Sequence, residues 1–262
     1  MPGRLEGKVA IVTGGASGFG AATSKRFAQE GCKVLVCDLN ESGAQDVASK
    51  LDAECKKAGS DGGAAKGFKM NVCERDDWAA AVKACVDGWG RVDICVNNAG
   101  TSYKNKPTLE VTEQDFDKVF AVNVKSIFHS VAAMVPQLQS QGQGGSIINI
   151  SSIGSTRPRP GLVWYNASKG AVSNATKGLA AEYGVDQIRV NALCPLLSGT
   201  GLFEMFSGVP YTEENMKKFL GNVPLGRLTD PMDVANTALF LASEEGRFIT
   251  GVNLEVDGGR GV

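Results

Sequence analysis

Short apolar, β-branched runs alternate with longer amphipathic segments along the whole chain. The runs are Val9–Thr13, Lys33–Asp38, Gly67–Val72, Asp93–Asn97, Ser146–Ile150, Arg189–Cys194 and Asn253–Val256, and each predicts a strand. Between them Phe19–Glu30, Glu41–Ala58, Arg75–Trp89, Thr112–Leu138, Tyr165–Tyr183 and Met232–Ala242 read as helices, the fourth long enough to be broken in two. Asn40, Thr112 and the Asp230-Pro231 pair are predicted helix starts, because a short polar side chain there accepts from otherwise unpaired amides. Strands that alternate with helices imply a parallel sheet covered on both faces. With right-handed crossovers, the expected α/β fold is a single-domain, Rossmann-type doubly wound sheet of about seven strands.

One segment fits the alternation badly. From Leu196 to about Leu225, glycines and Pro210 are mixed with Leu202, Phe203, Met205 and Phe206, directly after the sixth strand, where such sheets bind ligands. A substrate lid over 196–225 is the functional reading, and an ordinary packed loop the alternative. The rest of the 262 residues needs no second domain: 43% hydrophobic composition supports one continuous core, and the Gly-rich stretches at 59–63 and 141–145 are too short for domain linkers.

Composition narrows the partners. Lys and Arg number 27 against 28 Asp and Glu, evenly mixed, so there is no basic footprint for nucleic acid or an anionic membrane. Seven scattered cysteines without a Cys-x-x-Cys pair suggest reduced thiols and a cytoplasmic protein. The N-terminus lacks a signal-peptide apolar core, and no apolar stretch is expected to span a membrane. The single histidine, His129, rules out a histidine-rich zinc site and is expected to be an ordinary helix residue, so no metal is predicted.

The chemistry-bearing residues fall at the strand ends. Lys8–Val12 leads into Thr13-Gly14-Gly15-Ala16-Ser17-Gly18-Phe19-Gly20 and then a helix, a turn whose amides and positive helix end suit a pyrophosphate. Its Gly-x-x-x-Gly-x-Gly spacing departs from the common dinucleotide motif, and no Gly-Lys-Ser/Thr follows to make a nucleoside-triphosphate loop. Asp38, eighteen residues past Gly20, ends the second strand where a carboxylate accepts from an adenosine ribose and repels a 2′-phosphate. NAD is therefore favoured over NADP. Tyr165 and Lys169 stand four residues apart, on one face of their predicted helix, with Ser152 thirteen positions upstream. A cation beside a phenol favours the phenolate, which suits proton transfer at a hydroxyl or carbonyl.

Taken in order, Thr13–Gly20, Asn97-Asn98-Ala99-Gly100, Asn123, Ser152, Tyr165-x-x-x-Lys169, Arg189-Val190-Asn191-Ala192, Pro195 with Thr200, and Val256-Asp257-Gly258-Gly259 resemble the short-chain dehydrogenase/reductase family over nearly the whole chain. The resemblance implies an NAD-dependent oxidoreductase that interconverts a secondary alcohol and a ketone by hydride transfer. It makes Tyr165 the general acid/base and Ser152 a hydrogen-bond partner of the substrate oxygen. Lys169 would hold the nicotinamide ribose and lower the Tyr165 pKa, and Asn123 would hold a water of the proton relay. Gly14, Ser17, Gly18, Phe19 and Gly20 would cradle the cofactor, with Asn71 and Val72 at the adenine. Asn98, Ala99 and Gly100 would border the adenosine ribose, and Thr200 the carboxamide. Two positions depart from the family's habit, Asn71 for Asp and Leu196 for Gly. A homotetramer or homodimer is also implied by the family.

The substrate is less legible. Arg157 and Arg159, between Ser152 and Tyr165, suit an anionic substrate group or are simply solvated or interface arginines. Trp164, Phe203 and Phe206 form an apolar pocket or only pack. Two other functions use the same fold: a catalytically silent NAD-sensing or scaffold protein, and an epimerase or dehydratase with tightly held NAD. The first would be expected to lose Ser, Tyr or Lys, all of which this chain keeps.

Overall fold

The computed structural model describes residues 2–57, 65–198 and 203–262. Seven parallel strands, β1 (Val9–Thr13), β2 (Lys33–Asp38), β3 (Ala65–Lys69), β4 (Ile94–Asn97), β5 (Gly145–Ile150), β6 (Ile188–Pro195) and β7 (Asn253–Val256), lie in the order β3-β2-β1-β4-β5-β6-β7. The helices are α1 (Gly18–Gln29), α2 (Glu41–Lys57), α3 (Arg75–Trp89), α4 (Glu113–Phe120), α5 (Ser126–Gln141), α6 (Val163–Tyr183), α7 (Phe203–Ser207), α8 (Glu213–Leu220) and α9 (Pro231–Ala242). Alternate strand residues face opposite layers, as a pleated strand requires. Ala10, Val12, Val34 and Val36 pack with α1, α2 and α9, and Val9, Ile11, Leu35 and Cys37 with α3, α5 and α6.

Helix starts follow the predicted caps. Thr112 and Asp230 each close a reciprocal capping box, with Asp115 and Asp233, and the Asn40 side chain accepts from Gly43 N at 3.1 Å. The long fourth helix is broken as expected: a π turn at Ala121–Lys125 separates α4 from α5. Its length corrects one expectation. Glu113–Gln141, 29 residues containing an 18-residue window of mean hydropathy 1.4, is by length and composition long and apolar enough to cross a membrane, although Met134, Val135 and Leu138 are buried against the sheet.

The third strand is displaced from its predicted bounds of 67–72. It is an edge strand whose ladder ends with its one neighbour: Lys69 pairs with Asp38, the last residue of β2. Beyond it the chain turns, Asn71 N donating to Asp77 at 2.7 Å, while Met70 and Val72 enter the core beside Trp78.

Candidate active site

β1 pairs with β2 on one side and β4 on the other, so the crossovers leave in opposite directions and a crevice opens at the carboxyl ends. A cleft of about 560 Å³ lies there. One half is the glycine turn. Gly14 has φ +63°, and a Cβ on it would sit 2.8 Å from Asn98 Nδ2; a Cβ on Gly20 would meet the Gly14 carbonyl oxygen at 2.2 Å. Gly18, at φ +54°, has open space before it. Ser17 and Phe19 line the same wall, whereas Gly20 lies beneath it as the point of close approach. Asn98 donates from Nδ2 to the Thr13 and Gly14 carbonyls at 2.7 and 3.1 Å, fixing the turn against β4.

Asp38 closes this half. Its Oδ2 accepts from Ala16 N at 3.0 Å and its Oδ1 from Asn40 N at 2.9 Å, so the carboxylate is held at the cleft rim by main chain. Among the described residues no Lys or Arg forms an ion pair with it. Asn71, Val72, Ala99 and Gly100 also line the cleft, although Asn71 Oδ1 already accepts from Cys73 N. An open glycine cradle at a helix N-terminus, rimmed by an unpaired carboxylate, fits a dinucleotide with free ribose hydroxyls.

The other half holds the titratable pair. Tyr165 and Lys169 project from α6 and are buried, with Lys169 Nζ 6.0 Å from the phenol ring and donating to the Ile150 carbonyl at 2.8 Å. Ser152 caps the single 3₁₀ turn after β5, accepts from Gly154 N at 3.0 Å and stands beside the Tyr165 phenol. Burial pushes Tyr165 up to about 12, with Ser152 pulling the other way, and pushes Lys169 down to about 8. Desolvation, rather than the lysine, sets the direction of the Tyr165 shift.

Asn123 is the other residue expected in the proton relay. It sits in the π turn, 2% exposed, with Oδ1 accepting from Thr101 N and Nδ2 donating to the Thr101 carbonyl and to Ser168 Oγ. Its side chain braces the loop after β4 behind the cleft wall and is fully used. Thr200 lies outside the described residues.

Of the five predicted substrate residues, Arg157, Arg159 and Phe206 line the cleft, Phe206 meeting Tyr165 edge-on at 5.0 Å. Trp164 does not: it leans on Phe116 at 5.4 Å on the outer side of α6. Phe203 is 2% exposed and packs against Tyr211 and Phe219. Leu196, with Ile153 and Val223, forms an apolar cluster, and Leu196, Leu197 and Ser198 all border the cleft.

Three further residues were not foreseen from the sequence. Asn105 Nδ2 donates to the carbonyls of Pro160 and Phe206, both at 3.2 Å, and so joins the loop before α6 to α7. Those contacts span 55 and 101 positions, which no local spacing reveals. Tyr103 Oη accepts from Trp164 N at 3.0 Å, capping a helix whose N-cap residue, Leu162, provides no side-chain cap. Arg260 reaches the cleft from the C-terminal turn. Replacing Asn105 with Ala removes two hydrogen bonds of about 1 kcal/mol each. Amide exchange over residues 203–208 is expected to quicken roughly tenfold to thirtyfold on that scale, with β1 unchanged, in a mass-resolved exchange experiment.

Known proteins share this arrangement. A family model described as enoyl-(acyl carrier protein) reductase matches residues 14–260. A 4-formylbenzenesulfonate dehydrogenase of Comamonas testosteroni is 46% identical over 98% of this chain and 99% of its own length. A 2,5-dichloro-2,5-cyclohexadiene-1,4-diol dehydrogenase of Sphingobium indicum is 40% identical over 99% and 98%. Among solved structures, a 3-ketoacyl-(acyl-carrier-protein) reductase from Brucella melitensis, complexed with NADH, superposes with a TM-score of 0.88 at 40% identity, covering 98% of this chain and 100% of its own. The chain belongs to the short-chain dehydrogenase/reductase family.

Proposed function

We propose that this protein is an NAD(H)-dependent oxidoreductase that interconverts an alcohol and a ketone, with Tyr165 as its general acid/base. The observation that carries the reading is the meeting of Ser152, Tyr165 and Lys169 at the inner end of a glycine-cradled cleft. The turn from Gly14 to Gly20 would hold the pyrophosphate, Asp38 the adenosine ribose, Asn71 and Val72 the adenine, and Tyr165 with Lys169 the nicotinamide ribose. Bound there, the cofactor supplies the hydride acceptor or, reduced, the donor. Tyr165 holds the proton at its Oη, giving it to a carbonyl oxygen or taking it from a hydroxyl. Ser152 Oγ, beside that phenol, steadies the same substrate oxygen. Lys169, held by the Ile150 carbonyl, keeps an ammonium near the ring, and Phe206 and Leu162 exclude water.

The relatives named for a formylbenzenesulfonate and a cyclohexadienediol favour a small ring-bearing alcohol or carbonyl compound as substrate. The reading extends to a cytoplasmic homotetramer or homodimer. In its support all seven cysteines are free, and the edge strand β7 exposes Leu254.

The test is NADH absorbance during incubation with a panel of cyclic and aryl secondary alcohols and ketones. A net change is expected; an epimerase or dehydratase gives product without one, and a silent scaffold gives neither. With an active substrate, kcat/KM for NAD is expected to exceed that for NADP by roughly 100-fold, from the unneutralised Asp38 carboxylate at the ribose. Asp38→Ser should narrow the gap chiefly by improving NADP, and a wild-type preference for NADP would overturn the assignment of Asp38.

A further inference from the structure

The loop between Ser152 and α6 is fixed at two consecutive main-chain carbonyls. That of Arg159 accepts from Asn166 Nδ2 at 3.0 Å, and that of Pro160 accepts from Asn105 Nδ2. The Arg159 side chain therefore starts from a rigid point beside Tyr165's neighbour in α6. Its guanidinium lies over the Phe219 ring, 4.7 Å from the centroid, and borders the same cleft as Ser152 and Tyr165.

Arg260, from the C-terminal turn, borders the same cleft. The turn that presents it is built by Asp257, whose two carboxylate oxygens accept from Gly259 N and Gly261 N. Arg157 grips the Arg260 carbonyl and donates to that of Val262 at 3.2 Å, so it positions the turn. Among the described residues, none of the three arginines forms an ion pair, and Arg260 Nη1 is buried without a hydrogen-bond partner. Burial and then Arg260 press the Arg159 pKa down; burial and then Arg157 do the same to Arg260, with Asp257 opposing.

Like charges that share a partly desolvated cleft repel one another, and an unpaired buried donor forfeits its hydrogen bond to water. An oxyanion between them relieves both costs, and a guanidinium fork suits it in geometry. Ile153, Leu162, Met205 and Phe206 give the same cleft an apolar portion of wall. We propose that Arg159 and Arg260 form an anion clamp, and that the substrate is a small molecule with an apolar body carrying a carboxylate- or sulfonate-type group at its far end from the reacting oxygen. This deepens the oxidoreductase reading and rests on it for the identity of the reacting end.

Calorimetric titration of the full-length protein, saturated with NAD, tests the clamp without turnover. Benzenesulfonate and benzoate are the anionic probes, and benzenesulfonamide is the neutral one of matched shape. The anions are expected to bind at least tenfold more tightly than the sulfonamide. In Arg159→Met and in Arg260→Met the ratio of sulfonate to sulfonamide affinity should fall at least tenfold, with Arg159→Lys in between because it keeps the charge and loses the fork. NAD affinity in each variant reports an intact fold. Equal binding of sulfonate and sulfonamide by the wild type, or an unchanged ratio in both methionine variants, overturns the clamp. Because the readout is heat of binding, failure of the clamp is separate from failure of the oxidoreductase reading, which the NADH assay decides.

Discussion

Tyr165→Phe is expected to lower turnover by about three orders of magnitude while leaving NAD affinity within a factor of a few, since positioned acid/base groups typically contribute on that scale. The change removes one oxygen from a side chain that is 9% exposed and packed against Tyr103, Val119 and Leu162, so the ring and its neighbours stay in place. Ser152 keeps Gly154 N as a partner, and Lys169 keeps the Ile150 carbonyl. What disappears is the only phenol in the cleft that Ser152 touches. The direction of the burial shift adds a pH signature. A phenol pushed up to about 12 holds its proton at neutral pH, so ketone reduction should be nearly flat from neutrality to mild alkali. Alcohol oxidation, which needs the phenolate, should rise over the same interval. Steady-state rates in both directions check this, and retained activity in the phenylalanine variant would end the assignment of Tyr165.

Lys169→Met is expected to abolish turnover and at the same time make the cofactor-free protein more stable below pH 8. Burial lowers the ammonium pKa from its ordinary 10.5 to about 8, so in that range the folded chain carries a charge it has paid to desolvate. At about 1.4 kcal/mol per pKa unit the penalty is roughly 3 kcal/mol. Methionine fills similar space without the charge, but it leaves the Ile150 carbonyl without its 2.8 Å donor, a loss of about 1 kcal/mol. The net gain of roughly 2 kcal/mol corresponds to a rise in Tm of about 4–8 °C for a chain of this size. The sign with pH follows from proton counting. Between 8 and 10.5 the unfolded chain binds the lysine proton and the folded chain does not, so wild-type stability from this group climbs with pH across that window. The advantage of the methionine variant should therefore be full at neutrality and gone by the upper limit. Calorimetric melts at a series of pH values check it, and a variant less stable than wild type at neutral pH would show that Lys169 is not held in the way its burial indicates.

Helix and strand order were legible because they rest on local devices: the capping residues Thr112 and Asp230, the alternation of short apolar runs with amphipathic ones, and a glycine turn whose Gly14 and Gly20 have no room for a Cβ. The bounds of β3 were not, because a strand ends where its neighbour stops pairing, and that neighbour lies in another part of the chain. The face shared by Tyr165 and Lys169 followed from spacing alone. The misplacement of Trp164 had its answer in the same geometry, since successive helix residues point about 100° apart and Trp164 falls on the side of α6 that meets Phe116. Spacing gives proximity and says nothing of desolvation, which is what raises the Tyr165 phenol. Arg260 and Asn105 act across the fold, where only the assembled chain brings Arg260 to the cleft and Asn105 to the carbonyls of Pro160 and Phe206.

Asn105 and Asn166 hold the substrate side of the cleft by main-chain oxygens alone: those of Arg159, Pro160 and Phe206. An amide that grips a carbonyl is indifferent to the side chain that the same residue carries. Positions 159 and 206 can accordingly change identity while the frame that aims them at Tyr165 persists, and position 205, whose carbonyl accepts from Asn105 N at 2.8 Å, is held in the same way. Such a wall lets new substrate preferences arise by single replacements, without a refolding of the chain around them, and it marks those positions as the place to begin a directed library.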